Sequence, residues 1–161
     1  MPVFSTPDLS DANPEAVCLP YQFHLFGKRE CFFGRVSTIK CHKDNSRVAE
    51  AVSELGDGRI LLIDGQENLD QSLLGDRLAR LASERGWAGI VVIGAVRDVE
   101  VIDQIDIGLR ALGVCPVKTE KKDIGERDID LNLRAVEIKP GDWLYADRNG
   151  ILIHSSQLLF D

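Results

Sequence analysis

Two short continuous apolar runs constrain this chain more than any other feature: Arg59–Ile63 (RILLI), closed by Asp64-Gly65, and Ile90–Ile93 (IVVI), closed by Gly94. Runs of four or five such residues ending at a turn signal are the mark of buried strands. A chain that spends its apolar residues this way builds a sheet and needs other layers to cover it. Between the two runs, Leu78, Ala79, Leu81 and Ala82 repeat at helical spacing from Asp76 and stop at Gly86, so Gly75-Asp76 marks a helix entrance.

The same reading extends outward. Phe33–Cys41 suits a strand, and Asp44 suits a cap for a helix bearing Val48, Val52 and Leu55 before Gly56. The segment up to about Pro20 reads as irregular, with one short helix. Gly94 opens a loop through Ala95, Val96, Arg97 and Asp98 into an acidic amphipathic helix containing Val101, Ile102 and Ile105. Later strands are expected over Gly108–Val117, Leu131–Ile138, Trp143–Ala146 and Ile151–His154, with Asp147-Arg148-Asn149-Gly150 as a hairpin turn. Helices early and mostly strands late give a mixed α/β chain of layered sheets flanked by helices, in place of a doubly wound fold.

At 161 residues the chain holds one core, so residues 1–161 are expected to form a single domain. No stretch is apolar for long enough to span a bilayer, and the N-terminus lacks a basic patch followed by an apolar block. A soluble, cytoplasmic protein without membrane partners is the expectation. Cys18, Cys31, Cys41 and Cys115 form no CxxC pair, which argues against a zinc ribbon or a disulfide framework. A net charge of -7 disfavours direct nucleic-acid binding, where phosphate neutralisation by Lys and Arg supplies most of the affinity.

Two corners follow apolar strand-like segments: Ser72-Leu73-Leu74 leads to Gly75-Asp76, and Ile90–Ile93 leads to Arg97-Asp98. Strand-to-helix corners are where ligands collect in α/β sheets. The first offers the N–H groups of Gly75, Asp76, Arg77 and Leu78 at a helix start, suited to a carboxylate. The second sets a guanidinium fork beside a carboxylate, able to grip an anionic keto acid and a hard divalent cation. On spacing alone each piece also reads as ordinary helix-end chemistry, with Asp76 as a cap and Arg97-Asp98 as a solvated pair. His24, His42 and His154 stand at neither corner. Lys118, Lys121, Lys122 and Lys139 read as surface charge, and Glu126, Asp128 and Asp130 as a solvated loop face.

The run Gly75-Asp76-Arg77-Leu78-Ala79, the twenty residues between Asp76 and Arg97, and Gly94-Ala95-Val96-Arg97-Asp98 together resemble the RraA-like family. That family includes the class II 4-hydroxy-4-methyl-2-oxoglutarate aldolases. The likeness extends to Ile63-Asp64-Gly65, Asp106-Ile107-Gly108, Pro140-Gly141-Asp142 and Tyr145-Ala146-Asp147. It implies a β/β/α swivelling-domain-like fold, a homotrimer with sites at subunit boundaries, and a requirement for Mg²⁺ or Mn²⁺. It further implies substrate binding by Gly75, Asp76, Arg77, Leu78 and Arg97, catalytic roles for Arg97 and Asp98, and Asp98 as metal ligand. The implied chemistry is retro-aldol cleavage to pyruvate and oxaloacetate decarboxylation through a shared enolate. Short members of the family are associated instead with binding and inhibiting ribonuclease E, which needs no lyase chemistry. A methyltransferase role finds no support, because no GxGxxG nucleotide fingerprint appears.

Overall fold

The computed structural model describes residues 4–158 and 160. In chain order the elements are α1 (Thr6–Ala12), β1 (Val17–Cys18), β2 (His24–Phe26), β3 (Phe32–Lys40), α2 (Ser46–Val52), β4 (Ile60–Asp64), β5 (Ser72–Leu74), α3 (Asp76–Glu84) and β6 (Gly89–Val96). There follow α4 (Val99–Ile102), β7 (Gly108–Val114), β8 (Glu126–Arg127), β9 (Leu131–Leu133), β10 (Val136–Ile138), β11 (Trp143–Asp147) and β12 (Gly150–His154).

The long strand β3 belongs to two sheets. Its first half pairs antiparallel with β11, from Ala146↔Phe32 to Trp143↔Arg35, and its second half pairs parallel with β4, from Val36↔Ile60 to Lys40↔Asp64. The main path therefore runs β1-β12-β11-β3-β4-β6-β7-β2, with β3, β4, β6 and β7 parallel. Side chains alternate across these strands. Leu61, Ile63, Ile90 and Val92 pack on one side with Val48, Ala79 and Ala82 of the helices, and Ile60, Leu62, Val91 and Ile93 pack on the other with Leu144, Ile151 and Ile153. Burial on both faces is why β4 and β6 read as unbroken apolar runs. A third cluster, Phe4, Leu9, Tyr145, Leu152 and Leu158, seats α1 on the outer face of the antiparallel sheet. The expected layered, mixed α/β architecture with β/β/α order is thus what the chain adopts. Among the described residues no helix is long and apolar enough to cross a membrane.

Several boundaries differ from the sequence expectation. The strand begun at Ile90 continues through Gly94 and Ala95 to Val96, because β5 takes over as its parallel neighbour where β4 stops: Asp64↔Ile93 is followed by Ser72↔Ala95. The expected strand Leu131–Ile138 is a hairpin, β9 and β10, turned by Arg134 and Ala135 at φ 49 and 69. The helix after Asp98 ends at Ile102, with Ile105 buried beyond it. Strand β7 ends at Val114, two residues before Pro116. At α2 the cap position is Asn45, Asp44 binds the first-turn Ser46 N–H from outside it, and Leu55 is exposed after the helix end. The short strands β1, β2 and β8 carry no run long enough to be read in advance.

Candidate active site

Replacement of β4 by β5 beside β6 brings the two corners together. The Arg97 N–H donates to the Leu74 carbonyl at 3.0 Å, so Gly75-Asp76 and Arg97-Asp98 leave the sheet side by side at the C-terminal ends of parallel strands. Asp98 sits in the left-handed region, at φ 58 and ψ 38, and makes no side-chain cap to its own helix. Its carboxylate reaches the start of α3 instead, where Oδ2 accepts from the Asp76 N–H at 3.2 Å. Arg97 Nε lies 3.9 Å from the same oxygen, and Arg97 Nη1 donates to the Pro116 carbonyl at 3.3 Å.

Gly75 is the cap residue of α3, and Asp76 makes no capping bond, so the cap reading of Asp76 is not what the fold uses. A Cβ at position 75 would stand 2.5 Å from Asp98 Oδ2. Glycine is what allows the two corners to close on each other. The Ala79 N–H closes the first helical turn on the Gly75 carbonyl, which leaves the N–H groups of Arg77 and Leu78 as first-turn donors without an intrahelical partner.

These residues line a cavity of about 740 Å³ that also takes in Asn45, Ser72, Leu74, Lys118, Thr119, Glu120 and Lys121. Every site residue expected from the sequence is on its wall: Gly75, Asp76, Arg77, Leu78, Arg97 and Asp98. Lys118 and Lys121 were expected to be plain surface charge, and the fold brings them here because Ser72 bridges in parallel to Lys118. That segment has no periodicity to announce it. Four cationic side chains face three carboxylates, on a chain whose net charge is -7, so the cavity is a locally favourable place for an anion. No histidine lines it, and neither do Glu126, Asp128 and Asp130.

Asp98 also decides whether a metal fits. Among the described residues no three His, Cys, Asp or Glu side chains cluster as a metal cage. Asp98 is partly exposed, and among the described residues only Oδ2 of its carboxylate is engaged. One free carboxylate oxygen in a polar cavity suits Mg²⁺ or Mn²⁺, hard ions that Mg²⁺-type sites hold through one or two carboxylates, waters and ligand oxygens. The donor set does not suit zinc in a closed structural site.

The chain matches the RraA-like (Aldolase/RraA) family model over residues 6–153. It is 48% identical over 156 residues to a protein of Ectopseudomonas mendocina named "Putative 4-hydroxy-4-methyl-2-oxoglutarate aldolase", covering 96% of each chain. Among solved structures, the RNA-processing inhibitor RraA from Thermus thermophilis superposes with a TM-score of 0.93 at 44% identity, over 99% of this chain and 96% of that one. A Geobacillus kaustophilus protein described as S-adenosylmethionine:2-dimethylmenaquinone methyltransferase gives a TM-score of 0.93 at 36% identity, over 96% and 97%. A family model that matches nearly the whole chain and relatives aligned over nearly their full length agree: this chain is a member of the RraA-like family.

Proposed function

We propose that this protein is a divalent-metal-dependent lyase that cleaves 4-hydroxy-4-methyl-2-oxoglutarate to pyruvate and decarboxylates oxaloacetate. The observation that carries this reading is the contact between corners, with Arg97-Asp98 held against the Asp76 N–H at the mouth of α3. A keto acid entering the cavity would place its carboxylate on the Arg77 and Leu78 N–H groups, where helix-end donors and the helix dipole favour an anion. Arg97 would then lie beside the keto oxygen. Breaking the C3–C4 bond sends its electron pair toward the C2 carbonyl, leaving a pyruvate enolate whose oxygen Arg97 stabilises by charge and hydrogen bonding. In the aldol substrate the C4 hydroxyl gives up its proton and becomes the second keto group; in oxaloacetate the departing carbon leaves as CO₂. Protonation of the enolate methylene completes either reaction. Asp98 would hold Mg²⁺ or Mn²⁺, which when bound supplies Lewis-acid polarisation of the keto carbonyl. The relatives named as aldolases support this reading.

The deciding measurement is pyruvate release from both substrates with and without EDTA. Activity should vanish in chelator and return with Mg²⁺ or Mn²⁺, because a lone guanidinium does not replace a divalent Lewis acid. Full activity in EDTA would overturn the role given to Asp98. A second reading, favoured by the likeness to the Thermus RNA-processing inhibitor, is a regulator that binds ribonuclease E. Absence of association with that enzyme in a low-salt pull-down would remove it and leave the lyase reading intact.

A further inference from the structure

Four consecutive residues, Asp44, Asn45, Ser46 and Arg47, fasten the segment that carries Lys118 and Lys121. Asp44 Oδ2 accepts from the Lys122 N–H at 2.5 Å, and Ser46 Oγ accepts from the Asp123 N–H at 3.3 Å. Arg47 donates to Asp123 Oδ1 at 2.8 Å and to the Gly125 carbonyl at 3.2 Å. Asn45 differs from the other three because it also grips the sheet. Its Nδ2 donates to the Leu73 carbonyl at 3.1 Å, and its Oδ1 accepts from Thr119 Oγ1 at 3.0 Å. Apolar packing adds little here, since Val117 and Ile124 are 53% and 49% exposed. The distance between the lysine-bearing wall and the end of β5 therefore rests on polar links: the Ser72 N–H donates to the Val117 carbonyl at 2.7 Å along the backbone, and Asn45, held to Leu73 and Thr119, joins both walls through its side chain. Lys118 and Lys121 themselves form no ion pair among the described residues, so their charges are available to the cavity.

Resting on the lyase reading, we propose that Asn45 is a positioning residue that acts through Thr119, setting the spacing between the Lys118–Lys121 wall and the corner that holds Arg97. The lysines attract the bound keto acid equally before and during bond cleavage, so loss of the link weakens binding and spares turnover. Kinetics of oxaloacetate decarboxylation with Mg²⁺ test this. Asn45→Ala and Thr119→Val should each raise KM about 3- to 10-fold, the worth of one hydrogen bond, with kcat within about 2-fold of the parent. Thr119→Ser keeps the hydroxyl and should restore the parent KM. The double variant should be no worse than either single one, because both cut the same link. Additive losses, an unchanged KM, or a fall confined to kcat would overturn the proposal. Hydrogen exchange of the Lys118–Lys122 amides, read on the same proteins, does not depend on turnover: it should quicken in Asn45→Ala and Thr119→Val and stay at the parent rate in Thr119→Ser. Unchanged exchange refutes the positioning role. Quickened exchange in a protein whose parent turns over no keto acid refutes the lyase reading alone.

Discussion

Arg97 and Asp98 do different work although they are neighbours in sequence. Arg97 is held by its own backbone to Leu74 and by its guanidinium to the Pro116 carbonyl, while Asp98 turns left-handed to meet the start of α3. Arg97→Lys retains the charge and loses the planar fork. The expected result is a kcat for oxaloacetate decarboxylation lower by about 10²-fold, as for removal of one oxyanion donor, with melting temperature unchanged. A parent-like kcat with only a raised KM would withdraw the catalytic role of Arg97. Asp64, nearly buried at the end of β4, is a structural counterpart. Burial pushes its carboxyl above the usual range, the Gln66 N–H and Lys40 pull it back, and Glu67 adds to the rise. A folded pKa above the unfolded one means that the charged form costs stability at neutral pH and that this cost fades as pH falls through the raised value. Asp64→Asn should accordingly melt higher than the parent at pH 7, with the gap narrowing toward pH 4 in parallel melts. A gap that widens on acidification would show the sign to be wrong.

At the scale of elements, what fixes the sheet is the fit of Phe32 against two glycines. Gly89 and Gly108 are paired in register on β6 and β7, and a Cβ on either would fall within 2.4 Å of the Phe32 ring. The ring is buried and has the Arg110 guanidinium 5.0 Å from its centroid, so it has little room to withdraw. Gly108→Ala should cost about 2–3 kcal/mol by overpacking. In a chain of this size that corresponds to a fall of roughly 5–10 °C in Tm. Adding Phe32→Leu should recover part of the loss; if it recovers none, the ring is not the obstacle. Elements with a strong period were legible before the fold was known: β4, β6, α3 and the β11–β12 hairpin all stand where the sequence put them, within a residue or a few. Two of the misread boundaries have causes that no local pattern carries. Continuation of β6 past Gly94 depends on β5 arriving as a partner, and the turn at Arg134-Ala135 uses positive φ at residues that do not advertise it.

At the scale of the whole molecule, the rim beyond β7 leaves Leu69, Val114 and Val117 about half exposed next to the segment that leads to the lysine wall. The homotrimer implied by the family resemblance predicts a light-scattering mass three times the 17.8 kDa chain at micromolar concentration. A monomer there would count against sites shared between subunits. The residue pattern alone shows that the chain is layered, because unbroken apolar runs require cover on both faces, and it marks Gly75-Asp76 and Arg97-Asp98 as corners, because glycine and helix-start chemistry are local. It gave no account of Lys118, Thr119 and Lys121 as part of the same cavity, nor of Asn45 as a side-chain link between its walls. Those contacts join residues 28 to 74 positions apart through single hydrogen bonds, and a pairing of that kind leaves no period or composition in the chain; only the tertiary structure, by setting β5 beside β6 and seating the 117–125 segment on α2, decides it.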